Sequence, residues 1–323
     1  MPLSCQNQLI ATKQRWQLLQ HPLLQQKHIQ LWISHLDTSL PEVSGNKCLK
    51  LKYHLQQVVA ENKSGILTFG GAFSNHLAAV AASCNWLGLQ SVAYVRTDTL
   101  DTANPTLAFC LRMGMQLHAL DRTTYRRRSE PAFISQLQSQ HPTLLIVPEG
   151  GSSEAGVRGV TELDLLNTPD GKANLITTAT ASGGTLAGLI ERHASNILGI
   201  AVVKDQSLPT RVKQLLTTDS TNKNWQINMA FTGKGYGQFD ETLLQFCRDL
   251  ARHQLYVEPV YTGKALAGVF SLISSGAIAA GSRLSFFHTG GLQGLKGLFY
   301  RERITAADLA LLSGNQYSAN SMQ

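Results

Sequence analysis

Gly65-Ile66-Leu67-Thr68-Phe69-Gly70-Gly71-Ala72-Phe73-Ser74-Asn75-His76 decides the architecture. Its first five residues lack the polar alternation of a half-exposed strand and read as a strand buried on both faces. Gly70 and Gly71 turn the chain into a helix near 74–87, where Ala78, Ala79, Ala81 and Ala82 permit close packing. The same unit recurs along the chain. Residues 91–96 form a strand before a helix at 105–113, and 144–147 form one ending at Pro148-Glu149-Gly150-Gly151. Residues 174–178 lead through a glycine-rich turn into a helix near 185–195, and 197–203 and 284–288 are further strands. Apolar strands interleaved with helices indicate an α/β fold on a mainly parallel sheet, which binds ligands where the strands end. The loops after Phe69, Val147, Thr178 and His288, all rich in Gly, Ser and Thr, are therefore the expected site.

The bulk properties narrow the function classes. A chain of 323 residues, 43% hydrophobic and 15% charged, suits one large α/β unit or two interleaved domains. No run reaches the roughly 18 apolar residues of a membrane span. The most apolar stretch, 265–280, is interrupted by Gly268, Ser274, Ser275 and Gly276 and reads as a packed helix. The first 14 residues lack a signal pattern, so a cytoplasmic protein is expected. Cys5, Cys48, Cys84, Cys110 and Cys247 have no zinc spacing and fit free thiols in a reducing compartment. The net charge of +7 is dispersed, and its one cluster, Arg126-Arg127-Arg128, reads as a solvated face rather than a nucleic-acid stripe. A positive balance also suits an anionic cofactor or substrate.

Three loops carry chemistry. Ala179-Thr180-Ala181-Ser182-Gly183-Gly184-Thr185-Leu186-Ala187-Gly188 can converge backbone N–H groups and hydroxyls on a phosphate at a helix N-terminus. It has neither the Gly-Lys-Ser/Thr ending of a triphosphate loop nor the order of a dinucleotide fingerprint, and by itself equally suits a tightly packed helix start. Lys47, in Ser44-Gly45-Asn46-Lys47-Cys48-Leu49-Lys50, lies at a helix N-terminus whose positive field lowers a lysine pKa, which suits Schiff-base formation. Ser74, Asn75 and His76 open an Ala-rich helix with a donor cluster fit for a carboxylate, although Ser74 also reads as a plain N-cap.

Taken in order, Gly45-Asn46-Lys47 with Lys50, Ser74-Asn75-His76, Ser182-Gly183-Gly184-Thr185, Gly235-Tyr236-Gly237, Pro259-Val260-Tyr261-Thr262-Gly263-Lys264 and His288-Thr289-Gly290-Gly291 resemble one family. It is the 1-aminocyclopropane-1-carboxylate (ACC) deaminase / D-cysteine desulfhydrase family of pyridoxal-5′-phosphate (PLP) enzymes. The resemblance implies the tryptophan synthase β-like fold, fold type II. This has two three-layer domains with mainly parallel sheets: a larger one at 1–53 and 165–323 and a smaller inserted one at 54–164. It implies a homodimer acting on a small amino acid. Lys47 would carry the cofactor, Asn75 would bond its ring hydroxyl, and Ala181, Ser182, Gly183, Gly184 and Thr185 with Lys50 would hold its phosphate. Thr289 would face the pyridine nitrogen. Ser74, Asn75 and His76 would take the substrate carboxylate, Ser74 would also move protons, and Tyr236 and Tyr261 would flank the substrate. No metal is implied.

The chain departs from the family at three places. Leu49 stands where Arg is usual and Lys52 where Glu is usual, both expected to alter surface salt bridges, and the bulky Phe73 is expected near the substrate. Deaminases of ACC carry Glu at the position of Thr262 and Leu at that of Thr289, whereas the desulfhydrase branch carries Thr at both. A hydroxyl draws less on the pyridine ring than a carboxylate does, which is enough for β-elimination after loss of an α-proton. D-Cysteine to pyruvate, sulfide and ammonia is therefore the expected reaction, with Thr262 beside the substrate. ACC deamination and a silent PLP binder with Phe73 blocking its pocket are the rivals, and a dehydratase-like lyase fits Ser74-Asn75-His76 less well.

Overall fold

The computed structural model describes residues 12–233, 235 and 237–317. In chain order the elements that build the site are β1 (Thr12–Leu18), β2 (Gln30–Thr38), α1 (Asn46–Ala60), β3 (Gly65–Gly71), α2 (Asn75–Leu87), β4 (Gln90–Arg96), β5 (Gln116–Leu120) and β6 (Leu144–Val147). They continue with β7 (Leu175–Thr180), α3 (Gly184–Arg192), β8 (Asn196–Ala201), β9 (Trp225–Asn228), α4 (Thr262–Ser274), β10 (Arg283–Phe287) and α5 (Gly294–Tyr300).

Two sheets organise them. The larger runs β1-β2-β10-β7-β8-β9, parallel throughout except for the β1/β2 pair. The smaller runs β5-β4-β3-β6 and is wholly parallel, and its strands all fall between residues 54 and 164. The central strands are apolar on both faces because helices cover both, and Ile66, Leu67, Phe69, Ile197, Ile200, Leu284 and Phe286 are fully buried. This is the mainly parallel α/β architecture that the resemblance implies. Among the described residues no helix is long and apolar enough to cross a membrane.

Glycines set two close approaches. Gly45 stands in the left-handed region (φ +70°), and a Cβ there would lie 2.4 Å from the Thr289 carbonyl oxygen. That carbonyl accepts the Asn46 N–H at 3.2 Å, so the loop after β10 is stapled to the start of α1. His288 reinforces the same loop. Its Nδ1 accepts the Gly290 N–H at 3.2 Å, so its Nε2–H donates to the Tyr256 carbonyl at 2.9 Å.

Candidate active site

A cleft of about 320 Å³ opens where β3, β6, β7 and β10 end, within the size range of small-molecule sites. Lys47, Ser74, Asn75, His76, Ala181, Ser182, Gly183, Thr185, Tyr261 and Thr289 all line it. Residues spread over more than 240 positions thus meet at one point. Tyr236 lies outside the described residues.

Lys47 lies in the first turn of α1, and its ammonium donates to Asn46 Oδ1 at 2.7 Å. No carboxylate pairs with it among the described residues, and burial lowers its pKa to about 8. A useful fraction of neutral amine is therefore present near neutral pH. Asn46 is itself fixed, because its amide donates to Thr185 Oγ1 at 2.9 Å.

Behind Lys47 is a donor cup. Lys50 donates to Ser152 Oγ at 2.7 Å and to Ser182 Oγ at 3.3 Å, and the two hydroxyls bond each other at 2.6 Å. Lys50 is buried with hydroxyl partners only, so burial, and then Lys47, hold its pKa well below the usual lysine value. A Cβ on Gly184, at the start of α3, would come 2.9 Å from Ser152 Oγ and 3.0 Å from Lys50 Nζ. Hydroxyls, an uncompensated buried amine and a helix N-terminus converge in a space that only glycine leaves open. This is the donor set of a phosphate dianion, so the residues present fit a pyridoxal phosphate. Ser152 escaped the sequence reading. Its signal was the run Gly150-Gly151-Ser152-Ser153 at the end of β6, a loop already marked as a strand-end site.

The loop after β3 presents Ser74 and Asn75 to the cleft. Ser74 caps α2, its Oγ accepting the N–H groups of His76 (3.2 Å) and Leu77 (3.4 Å). Those donors and the helix end favour negative charge on that oxygen and leave its O–H able to donate. His76 is turned inward. Thr68 Oγ1 donates to the Val147 carbonyl at 2.8 Å and so accepts His76 Nε2–H at 2.9 Å. Burial, then Lys47 and Lys50, keep its imidazole neutral.

Other expected positions fall elsewhere. Thr262 is fully buried behind the cleft wall, where its hydroxyl donates to Glu258 at 3.0 Å. Phe73 is absent from the lining. Its ring packs on α5, within 2.5 Å of where a Cβ on Gly297 would be, with the Arg301 guanidinium 4.3 Å from its centroid. Phe73 therefore does not narrow the pocket. Leu49 is core rather than surface, while Lys52 pairs with Glu162 at 2.6 Å. The arginine cluster also divides. Arg127 pairs with Glu130 on the surface, but Arg128 lines the cleft, bonded to Glu149 at 2.8 Å.

Glu258 is the second residue that sequence reading missed. Its carboxylate accepts the N–H groups of Val260 (2.6 Å), Tyr261 (3.0 Å) and Thr262 (2.8 Å), which fixes Tyr261 at the start of α4. Burial outweighs these bonds and raises its pKa from 4.5 to about 7. A carboxyl raised in the folded state holds its proton more tightly there than in the unfolded chain. Its stabilising contribution is therefore complete below about 4.5 and is lost as pH climbs through 7. The change is about 3 kcal/mol. Denaturant titrations of the wild type and Glu258→Gln should show the stability difference falling by that order across this window. A difference that stays flat with pH refutes the assignment.

Comparison with known proteins gives the family. The chain is 29% identical over 293 residues to the bifunctional D-cysteine desulfhydrase/1-aminocyclopropane-1-carboxylate deaminase, mitochondrial, of Arabidopsis thaliana, covering 82% of this chain and 73% of that protein. It is 26% identical over 287 residues to a putative 1-aminocyclopropane-1-carboxylate deaminase of Pyrococcus abyssi, covering 83% and 86%. Among solved structures, an ACC deaminase homologue superposes with a TM-score of 0.77 at 23% identity over 94% of this chain and 95% of that one. O-ureido-L-serine synthase superposes at 0.68 with 14% identity over 99% and 98%. The model of the family described as pyridoxal-phosphate dependent enzyme matches residues 16–290, a span that holds the buried amine of Lys47, the cup around Gly184 and the stapled Thr289 loop, and the chain belongs to that family.

Proposed function

We propose that the chain eliminates the β-substituent of a small amino acid, with D-cysteine giving pyruvate, sulfide and ammonia at the expense of one water. The observation that carries the reading is the pairing of Lys47, held to about 8, with the Ser74 hydroxyl at a helix N-terminus across one cleft. Bound pyridoxal phosphate supplies an electron sink for charge developing at the α-carbon. Lys50, Ser152, Ser182 and the start of α3 hold its phosphate, and Asn75 and Thr289 orient its ring. Ser74 and Asn75 receive the substrate carboxylate, and His76 braces the loop from beneath. The neutral Lys47 amine, or Ser74, takes the α-proton. Tyr261 flanks the substrate and guides proton return.

Thr289, a hydroxyl rather than a carboxylate at this place in the cleft lining, supports β-elimination. One observation favours deamination of ACC as a second reading. Glu258 sets a buried carboxylate directly behind Thr262, the position where those deaminases carry glutamate. We place the enzyme in the cytoplasm as a homodimer. The four described cysteines are buried and unpaired, as suits a reducing compartment, and the dimer rests on resemblance.

The test is 2-oxo acid and sulfide release by the PLP-loaded protein from D-cysteine, L-cysteine, D-serine and ACC in parallel, with pyruvate and 2-oxobutyrate distinguished. The expected result is pyruvate with equimolar sulfide from D-cysteine. 2-Oxobutyrate from ACC without sulfide from cysteine would move the assignment to the second reading.

A further inference from the structure

Among the described residues six charged side chains line the cleft: Lys47, Arg96, Arg128, Glu149, Asp205 and Arg211. The two carboxylates are each taken by one arginine, Glu149 by Arg128 at 2.8 Å and Asp205 by Arg211. Lys47 is the cofactor lysine, and the phosphate has its own amine in Lys50. Arg96 remains. Among the described residues its guanidinium has no carboxylate partner, and it rests over the Tyr125 ring at 5.7 Å, with Arg128 4.7 Å from the same ring.

The position of Arg96 is set by the fold. It ends β4 and is paired in register with Gly71, the last residue of β3, three positions before Ser74. Its Nη2 lies 3.7 Å from where a Cβ on Gly71 would stand, which puts the exposed guanidinium at the cleft beside the loop that leads to Ser74. Two loop residues therefore separate an unpaired cation from the hydroxyl that caps α2. A plain amino acid presents a single carboxylate, which Ser74, Asn75 and the α2 N-terminus already receive. The surplus cation calls for a second negative group on the substrate.

We propose, resting on the elimination reading above, that this cleft takes amino acids whose β-substituent carries a second anionic group, and that Arg96 recognises that group. In the reaction the α-proton leaves to the chain's base, the Cβ–substituent bond breaks, and the substituent departs with the bonding pair and its anion. Water then converts the remaining three-carbon imine to pyruvate and ammonia. A guanidinium beside a partly desolvated carboxylate or sulfonate gives a charge-assisted pair, so discrimination of about ten-fold is expected.

The experiment uses the holoenzyme and a near-isosteric pair, S-carboxymethyl-cysteine and S-carbamoylmethyl-cysteine, as D and L forms. Calorimetric binding and pyruvate release are both read. The carboxymethyl compound should bind about ten-fold more tightly, the ratio should fall to about one in Arg96→Gln, and Arg96→Lys should restore part of it. A ratio near one in the wild type, or one unchanged in Arg96→Gln, overturns the proposal. Equal weakening of both compounds by Arg96→Gln also overturns it, because Arg96 would then hold the α-carboxylate. A binding preference that Arg96→Gln removes, with no pyruvate from any amino acid, supports the anion site and defeats the elimination reading instead.

Discussion

Lys47→Ala is expected to lower pyruvate release by about 10³-fold or more, because in the proposed mechanism this amine anchors the cofactor and, with Ser74 as the alternative base, takes the α-proton. The visible absorbance of covalent attachment should vanish with it. Cofactor binding should persist, since the cup of Lys50, Ser152 and Ser182 is built from other side chains. Absorbance spectra and a coupled pyruvate assay on one preparation separate these effects. Turnover within ten-fold of the wild type would remove Lys47 from the chemistry.

Lys50→Ala is expected to act on the other end of the cofactor. A charge-assisted bond from a buried amine to phosphate contributes about 1.5–3 kcal/mol, or roughly 10- to 150-fold in the dissociation constant. Ser152→Ala removes a neutral hydroxyl from the same cup and should cost about five-fold, from a net contribution near 1 kcal/mol. Equilibrium titration of the cofactor-free variants measures both. Ser152→Ala costing more than Lys50→Ala would mean that Lys50 does not face the phosphate.

How much of this was legible in the sequence follows from burial. The strands at 65–71, 90–96, 144–147, 175–180, 196–201 and 283–287 show as apolar runs because they are covered on both faces. The strands that sequence reading passed over are mostly edges. β1 and β9 close the larger sheet and β5 forms one edge of the smaller one (the other, β6, is apolar throughout), and Thr12-Lys13-Gln14-Arg15 and Gln116-Leu117-His118 face solvent on one side. An edge strand needs no continuous apolar run, so its pattern is weak. β2 is the exception, an interior strand broken by Ser34 and by His35, which stacks on His288 at 5.1 Å.

The site divides in a similar way. Motifs local in sequence revealed themselves: Lys47 on its glycine-led helix start, Ser74-Asn75 on a cap, and the glycine-rich turn of α3. What stayed hidden depends on distance in space. Glu258 stands out only once Thr262 and the N–H groups of α4 are seen folded over it. Arg128 reads as part of a basic surface cluster until Glu149, 21 residues away, draws it to the cleft. Phe73 seemed a threat to the pocket because sequence shows its nearness to Ser74 but not its direction, which is toward Gly297.

The central claim is that Lys47 is the lysine around which the cleft is built. Borohydride reduction of the holoenzyme, followed by proteolysis and mass spectrometry, tests it most directly. The account predicts one pyridoxyl group, on the peptide containing Lys47. A pyridoxyl group on Lys50 or on any other lysine, with Lys47 unmodified, would contradict it.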